Sequence, residues 1–191
     1  MMIEHCVCGA KRAPREAGAS LLEVLIAILI MSFGLLALGA LTAAAQQYVK
    51  MAQFQSLGML LASELGERMR ANVRAFEAGS YNKTAAYSTA TATVPPCSAS
   101  PCTIAEVAAI DLAKWTNELR GQLPGGDAFV RRDAVNPLAA DVWILWIDPD
   151  LQVGATEKLE VVGANDCPAA AVSGIAASAP KPRCMYYRIS I

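Results

Sequence analysis

Histidine is nearly missing from this chain of 191 residues, and the one instance, His5, lies upstream of a long apolar run. Without histidine the body lacks the usual general base, the partner for Ser/His and Cys/His nucleophile pairs, and the commonest metal ligand. No enzyme activity and no cofactor or metal are therefore expected. An excess of positive charge is missing too: 16 Lys and Arg stand against 17 Asp and Glu, for a net charge of -1 and a pI near 5.9. A general polyanion binder clusters Lys and Arg, so no nucleic acid binding is inferred. Proline is missing from Ala19 to Val94, so no such residue interrupts a helix there. Charge is missing from Ala19 to Ala45, except for Glu23.

That last absence accounts for most of the 54% hydrophobic content and the mean hydropathy of +0.35. The run is long enough to span a bilayer and longer than the apolar core of a cleaved secretory signal, about 7 to 15 residues. Lys11, Arg12 and Arg15, against Glu4 and Glu16, precede it. By the positive-inside rule this end stays in the cytoplasm and the rest crosses. An unpaired carboxylate in hydrocarbon costs on the order of +2.5 to +3.5 kcal/mol, so Glu23 calls for a partner, and the run itself holds none.

Beyond Ala45 the apolar pattern becomes periodic. Phe54, Leu57, Leu61, Leu65, Met69, Val73 and Phe76 recur at spacings of three and four, which predicts that the helix runs on with one apolar face and stops at Gly79. Glu64 and Arg68 form an i,i+4 pair, and with Arg70 and Arg74 they read as a solvated helix face. Tyr81 to Cys102 is rich in Ser, Thr and Ala, ends VPPCSASPC, and reads as a surface loop. Thr103 and Glu106 have capping-box spacing and open a second helix with a core-facing Trp115, which stops at LPGG, Leu123 to Gly126. Strands are expected at Phe129 to Arg132, Val142 to Ile147, Lys158 to Val162 and Cys184 to Ile191. VWILWI, apolar on both faces, is the expected central strand. Asp148 and Asp150 flank a proline and read as a turn in preference to a calcium site. The fold class expected is α+β: a long N-terminal helix packed on a small antiparallel sheet.

Cys6 and Cys8 precede the apolar run, whereas Cys97, Cys102, Cys167 and Cys184 follow it. In an oxidising compartment the four body cysteines suggest two bridges, with three possible connectivities. The local pairing, Cys97 with Cys102 and Cys167 with Cys184, is preferred because each pair brackets a Ser/Ala/Pro-rich loop. Zinc is the weaker reading, since the spacings are not CxxC-like and histidine is lacking.

A short basic leader ending in Gly18, followed by Ala-Ser-Leu-Leu-Glu23 and an uninterrupted apolar helix, resembles the class III signal of type IV pilins and the pseudopilins of type II secretion. The resemblance implies that a prepilin peptidase cuts between Gly18 and Ala19, that the amine of Ala19 is N-methylated, and that Glu23 pairs with the N-terminal amine of a neighbouring subunit. LASELGERMRAN from Leu61, AFEAGSYN from Ala75, the CxxxxCT of Cys97 to Thr103 and DLAKWTNELRGQLPGG from Asp111 are similar to the minor pilin PilV family. The family usually has phenylalanine where Ala19 stands, and major pilins commonly carry a helix proline where this chain offers only Gly34 and Gly39 as soft points.

What this implies is a type IV pilin fold with a cleaved cytoplasmic leader at 1–18, a transmembrane half-helix at 19–45, an amphipathic half-helix at 46–79 and a periplasmic globular domain at 80–191. The implied function is a minor pilin that helps initiate assembly of a type IV pilus and enters it. Its implied partners are the prepilin peptidase, other minor pilins, the major pilin, the inner-membrane assembly platform and membrane lipid. It would sit in the inner membrane as a single-pass protein with its N-terminus cytoplasmic, and then at the cell surface. A pseudopilin, or a simple membrane-anchored periplasmic binding protein, is the alternative.

Intact-mass analysis of the membrane-extracted protein checks this reading. The expected chain begins at Ala19, with or without a methyl group, and gains the hydrogens of two disulfides on reduction. A chain still carrying Met1 or Met2 returns the protein to a plain membrane anchor.

Overall fold

Small residues on one long helix set how closely a sheet can approach it. The computed structural model describes residues 18, 20–148, 167–175 and 179–191. It divides into two units, Met1–Ala45 and Gln46–Ile191. Helix α1, Leu21–Ala71, contributes to both.

In the first unit every described residue is exposed. An 18-residue stretch of α1 has a mean hydropathy of 2.7 with no part buried, so the helix is long and apolar enough to cross a membrane once. Leu21 to Ala45 rises about 37 Å at 1.5 Å per residue, against a hydrocarbon core of roughly 30 Å. The hydroxyls within it turn back on the helix: Ser32 Oγ donates to Ile28 O at 2.7 Å and Thr42 Oγ1 to Gly39 O at 2.9 Å. These two hydroxyls are thus satisfied locally, as a lipid environment demands.

In the second unit α1 buries Gly58, Leu61, Ala62, Leu65, Gly66 and Met69. The helix does not run unbroken to Gly79. It ends at Ala71, and Asn72 (φ -135, ψ 56) separates it from a short helix α2, Val73–Glu77. Asn72 leaves helical geometry and donates its side-chain amide to Ile104 O at 2.8 Å, which ties the break to the next helix. The chain then turns at Gly79, where φ is +78.

Helix α3, Ile104–Gln122, opens with the full capping box. The Thr103 hydroxyl accepts from Glu106 N, and the Glu106 carboxylate accepts from Thr103 N at 2.8 Å. Trp115 is buried, and its Nε1 donates to Leu61 O at 2.8 Å, fastening α3 to α1. The LPGG stop has strict sterics: Gly125 has φ +58, and a Cβ at Gly126 would lie 2.7 Å from Leu119 O.

Strands β1 (Asp127–Arg132), β2 (Ala139–Trp146) and β3 (Arg183–Ser190) form an antiparallel sheet in the order β1-β2-β3. The observed strands start earlier than expected by one to three residues, and two of them end one residue short. Lys158 to Val162 lies outside the described residues. In the centre, β2 buries Val142, Ile144 and Trp146 in one cluster with Leu61, Leu65 and Met69 of α1. On its other face Leu145 meets Phe129, Cys184 and Ala171. Double-sided burial is the reason VWILWI is apolar throughout. Along β3, a Cβ at Gly58 would meet Tyr187 Oη at 3.5 Å, and one at Gly66 would meet Ile189 Cγ2 at 3.2 Å. Tyr81 is no surface residue: it is buried, and its single hydroxyl proton is shared between Asp111 Oδ2 at 3.0 Å and Arg68 O at 3.1 Å.

Leu65 is fully buried between helix and sheet. Leu65→Ala is therefore expected to lose about 2 to 5 kcal/mol, read as a lower denaturant midpoint of the full chain in detergent with little change in slope.

Candidate assembly site at the start of the first helix

The start of α1 is built from Ser20. Its carbonyl accepts from Glu23 N at 3.0 Å and Val24 N at 3.2 Å, and its Oγ accepts from Glu23 N at 3.2 Å. Ser20 is therefore the N-cap, which places Glu23 three residues into the helix, where a carboxylate favours the positive end of the dipole. Both are exposed, as is Gly18, around which no atom lies within 4 Å of a Cβ position. Ala19 lies outside the described residues. Among the described residues nothing hydrogen-bonds or ion-pairs with the Glu23 carboxylate. The arrangement is an exposed acid, held in register by the first helical turn, at the head of an apolar helix. Ser20 was overlooked in the sequence, although Ser-x-x-Glu before an apolar run is the same box signature as Thr103 with Glu106.

The structure joins Cys97 to Cys102 and Cys167 to Cys184, with Cα separations of 5.2 and 5.3 Å. The first bridge closes a short loop ahead of α3, and Ser98 N donates to Glu106 Oε1 at 2.8 Å. The second ties residues 167–175 to β3. There Ala171 packs on Phe129 and Leu145, and its carbonyl accepts from Tyr87 N at 2.7 Å.

Charges in the second unit are shared between elements, so the face around Arg68 is more than solvated. Arg68 pairs with Glu64 and also faces Asp111 at 3.6 Å and Glu118 at 3.8 Å, both on α3. Burial, followed by the neighbouring Asp111, pushes the Tyr81 phenol well above its usual range. Asp127, 1% exposed, accepts from Lys83 Nζ at 2.7 Å, Arg120 Nη2 at 3.0 Å and Ser88 N at 2.9 Å. It thereby holds the loop after Tyr81 against α3 and β1. Asp148, weighed as a calcium ligand, lies 3.0 Å from Arg183 Nε, and Asp150 lies outside the described residues. Among the described residues no group of three His, Cys, Asp or Glu can hold a metal ion.

No family model, curated protein or solved structure matches the chain. The architecture by itself, a long N-terminal apolar helix packing on a small antiparallel sheet, is consistent with a pilin-like fold.

Two half-buried carboxylates contribute a pH dependence in the acid range. Hydrogen bonds from Ser98 and Thr103 hold Glu106 down at about 2, from an ordinary 4.5. Backbone N–H of Val135, then Arg188, hold Asp133 down at about 2, from 3.8. A depressed carboxylate stabilises the fold above its unfolded value and loses that contribution as pH falls through the folded one. Melting temperature is thus expected to drop between about pH 4.5 and 2. The gap between wild type and Glu106→Gln, largest near neutrality, is expected to close over the same window.

Proposed function

We propose that this chain is a minor pilin of the PilV kind, which takes part in initiating a type IV pilus and is incorporated into it. The observation that carries the reading is Glu23: an exposed, locally unpartnered carboxylate on the first turn of an apolar helix, five residues after the exposed Gly18. A prepilin peptidase cuts after Gly18, and the new amine, borne by Ala19, is methylated. An acid and an ammonium are each unfavourable alone in hydrocarbon, and they neutralise each other when two subunits lie side by side. The Ser20 cap holds Glu23 at one height, so the pairing sets the register of one α1 against the next.

Before assembly α1 anchors the subunit in the inner membrane, with the sheet-bearing unit on the periplasmic side. There it meets the other minor pilins, the major pilin and the assembly platform. The MRAN and LPGG segments favour the pilus over the pseudopilin reading, and both mark joints of the fold. Asn72 of MRAN breaks the helix, and Gly125 and Gly126 of LPGG make a turn that larger residues would not fit.

Glu23→Ala tests the pairing. Cleavage after Gly18 is expected to continue, while the amount of the variant in sheared pili falls tenfold or more. Tenfold corresponds to only about 1.4 kcal/mol, less than the estimated penalty of an unpaired acid in hydrocarbon. Equal amounts of variant and wild type in the filaments would rule out the pairing.

A further inference from the structure

The two disulfides sit in different surroundings. Cys184 is 5% exposed and packs with Phe129, Leu145 and Ala171, and the sulfur of its partner Cys167 faces Pro182 O at 3.8 Å. Cys97 and Cys102 are half-buried, and the residues between them, Ser98 to Pro101, are all exposed. Neither cysteine of this first bridge belongs to an apolar cluster of the described residues.

The stretch around the first bridge is fastened on either side by bonds that do not need it. Upstream, Ala92 N donates to Asn117 Oδ1 and Asn117 Nδ2 donates to Ala92 O, each at 2.8 Å. Arg120, one turn further along α3, donates to Ala90 O and Ser88 O. Downstream, the box of Thr103 and Glu106 closes the start of α3 by itself, and Asn72 holds Ile104 O. Between these fastenings lie residues 93–102, TVPPCSASPC. Among the described residues, Ser98 alone bonds that stretch to the rest of the chain, its N–H donating to Glu106 Oε1 at 2.8 Å.

We propose that the Cys97–Cys102 bridge is a redox clasp, opened by an external dithiol to release residues 93–102 while α3, the sheet and the Cys167–Cys184 bridge keep their places. A thiolate of the dithiol attacks one sulfur of the bridge. The S–S bond breaks as a mixed disulfide forms, and the other sulfur leaves as a thiolate and takes up a proton. The second thiol of the reagent, having lost its own proton, then displaces the remaining cysteine sulfur. The dithiol departs as a disulfide, two electrons have passed to the bridge, and Cys97 and Cys102 are both thiols.

Access and recapture both favour the first bridge for exchange. The attacking sulfur needs a clear approach, which the exposed loop gives and the packed surroundings of Cys184 deny. Once open, Cys97 and Cys102 are free to part from a Cα separation of 5.2 Å to about 17 Å over five extended residues. Core packing of Ala171 and Cys184 keeps the second pair of thiols close even when reduced, so their effective concentration stays high and that bridge re-forms. The inference needs only a dithiol that meets the folded chain, and it does not rest on the function proposed above.

Timed exposure of the full chain in detergent to dithiothreitol tests the clasp, with any free thiol blocked beforehand by N-ethylmaleimide. Samples are quenched with iodoacetamide, and each cysteine is scored by peptide mass. Cys97 and Cys102 are expected to be alkylated at least about tenfold faster than Cys167 and Cys184. Equal rates, or the reverse order, overturn the proposal.

Amide exchange of the chain alkylated only at Cys97 and Cys102 gives a second reading. The Ser98 amide is expected to exchange at least about tenfold faster than in the bridged chain, while the amides of Trp115 and Leu119 in α3 and of Tyr87, bonded to Ala171 O, keep their protection. An unchanged Ser98 amide overturns the clasp. Faster exchange throughout α3 also overturns it, because the bridge would then be a staple of the whole unit. The double variant Cys97→Ser with Cys102→Ser is open without any reagent. It is expected to show the same fast Ser98 amide and to lose no more than about 10 °C in melting temperature. A double variant that does not fold sides with the staple.

Discussion

Packing of side chains from β2 and β3 against the small-residue face of α1 is the constraint on which the second unit depends. Gly58 and Gly66 leave no side chain, and Ala62 only a methyl group, in the way of Met185, Tyr187 and Ile189, so Leu61, Leu65 and Met69 can reach Val142, Ile144 and Trp146 in the central strand. An added Cβ at Gly66 would press on the Ile189 side chain at 3.2 Å, which would have to give way by a few tenths of an ångström. Close packing transmits such a shift, because the interior has little free volume to absorb it. A groove runs beside β3 for the same reason: small residues leave a shallow trough where larger ones would fill it.

Around that core, polar ties hold segments that have little secondary structure of their own. Asn72 reaches Ile104, Trp115 reaches Leu61, and Tyr81 reaches both Arg68 and Asp111. Asp127 gathers Lys83, Arg120 and the backbone of Ser88. Each is a buried or half-buried polar group supplied with partners, and leaving such a group unpaired costs more than the pair contributes. The first part of the loop, Tyr81 to Ser88, is thereby tied down, and Lys83 also covers the β1 edge.

The first helix joins two chemistries. Up to Ala45 its side chains are apolar all round and its hydroxyls bond to their own backbone; beyond, it carries one apolar face and shares its charges with α3. Glu23 is the exception at one end, an acid placed where an apolar surrounding demands a partner.

Much of this was legible in the sequence because the signals are local. The three-and-four spacing from Phe54 to Met69 marks the core-facing side of α1, Thr103 with Glu106 marks the start of α3, and the apolar VWILWI marks the covered strand. Ser20 was legible by the same capping rule. Other features depend on residues far apart in the chain, and only the tertiary structure decided them. Asn72 breaks the helix because Ile104 lies within reach, Tyr81 is buried because Arg68 and Asp111 meet there, and Arg68 belongs to α3 as much as to α1. The cysteines allowed three connectivities until Cys184 on β3 was placed beside Cys167. That the β1 edge is covered depends on Lys83 and Asn82 reaching it. Periodicity and caps are written within a few residues and can be read there, whereas long-range hydrogen bonds and edge closure arise only when the packed core brings distant segments together.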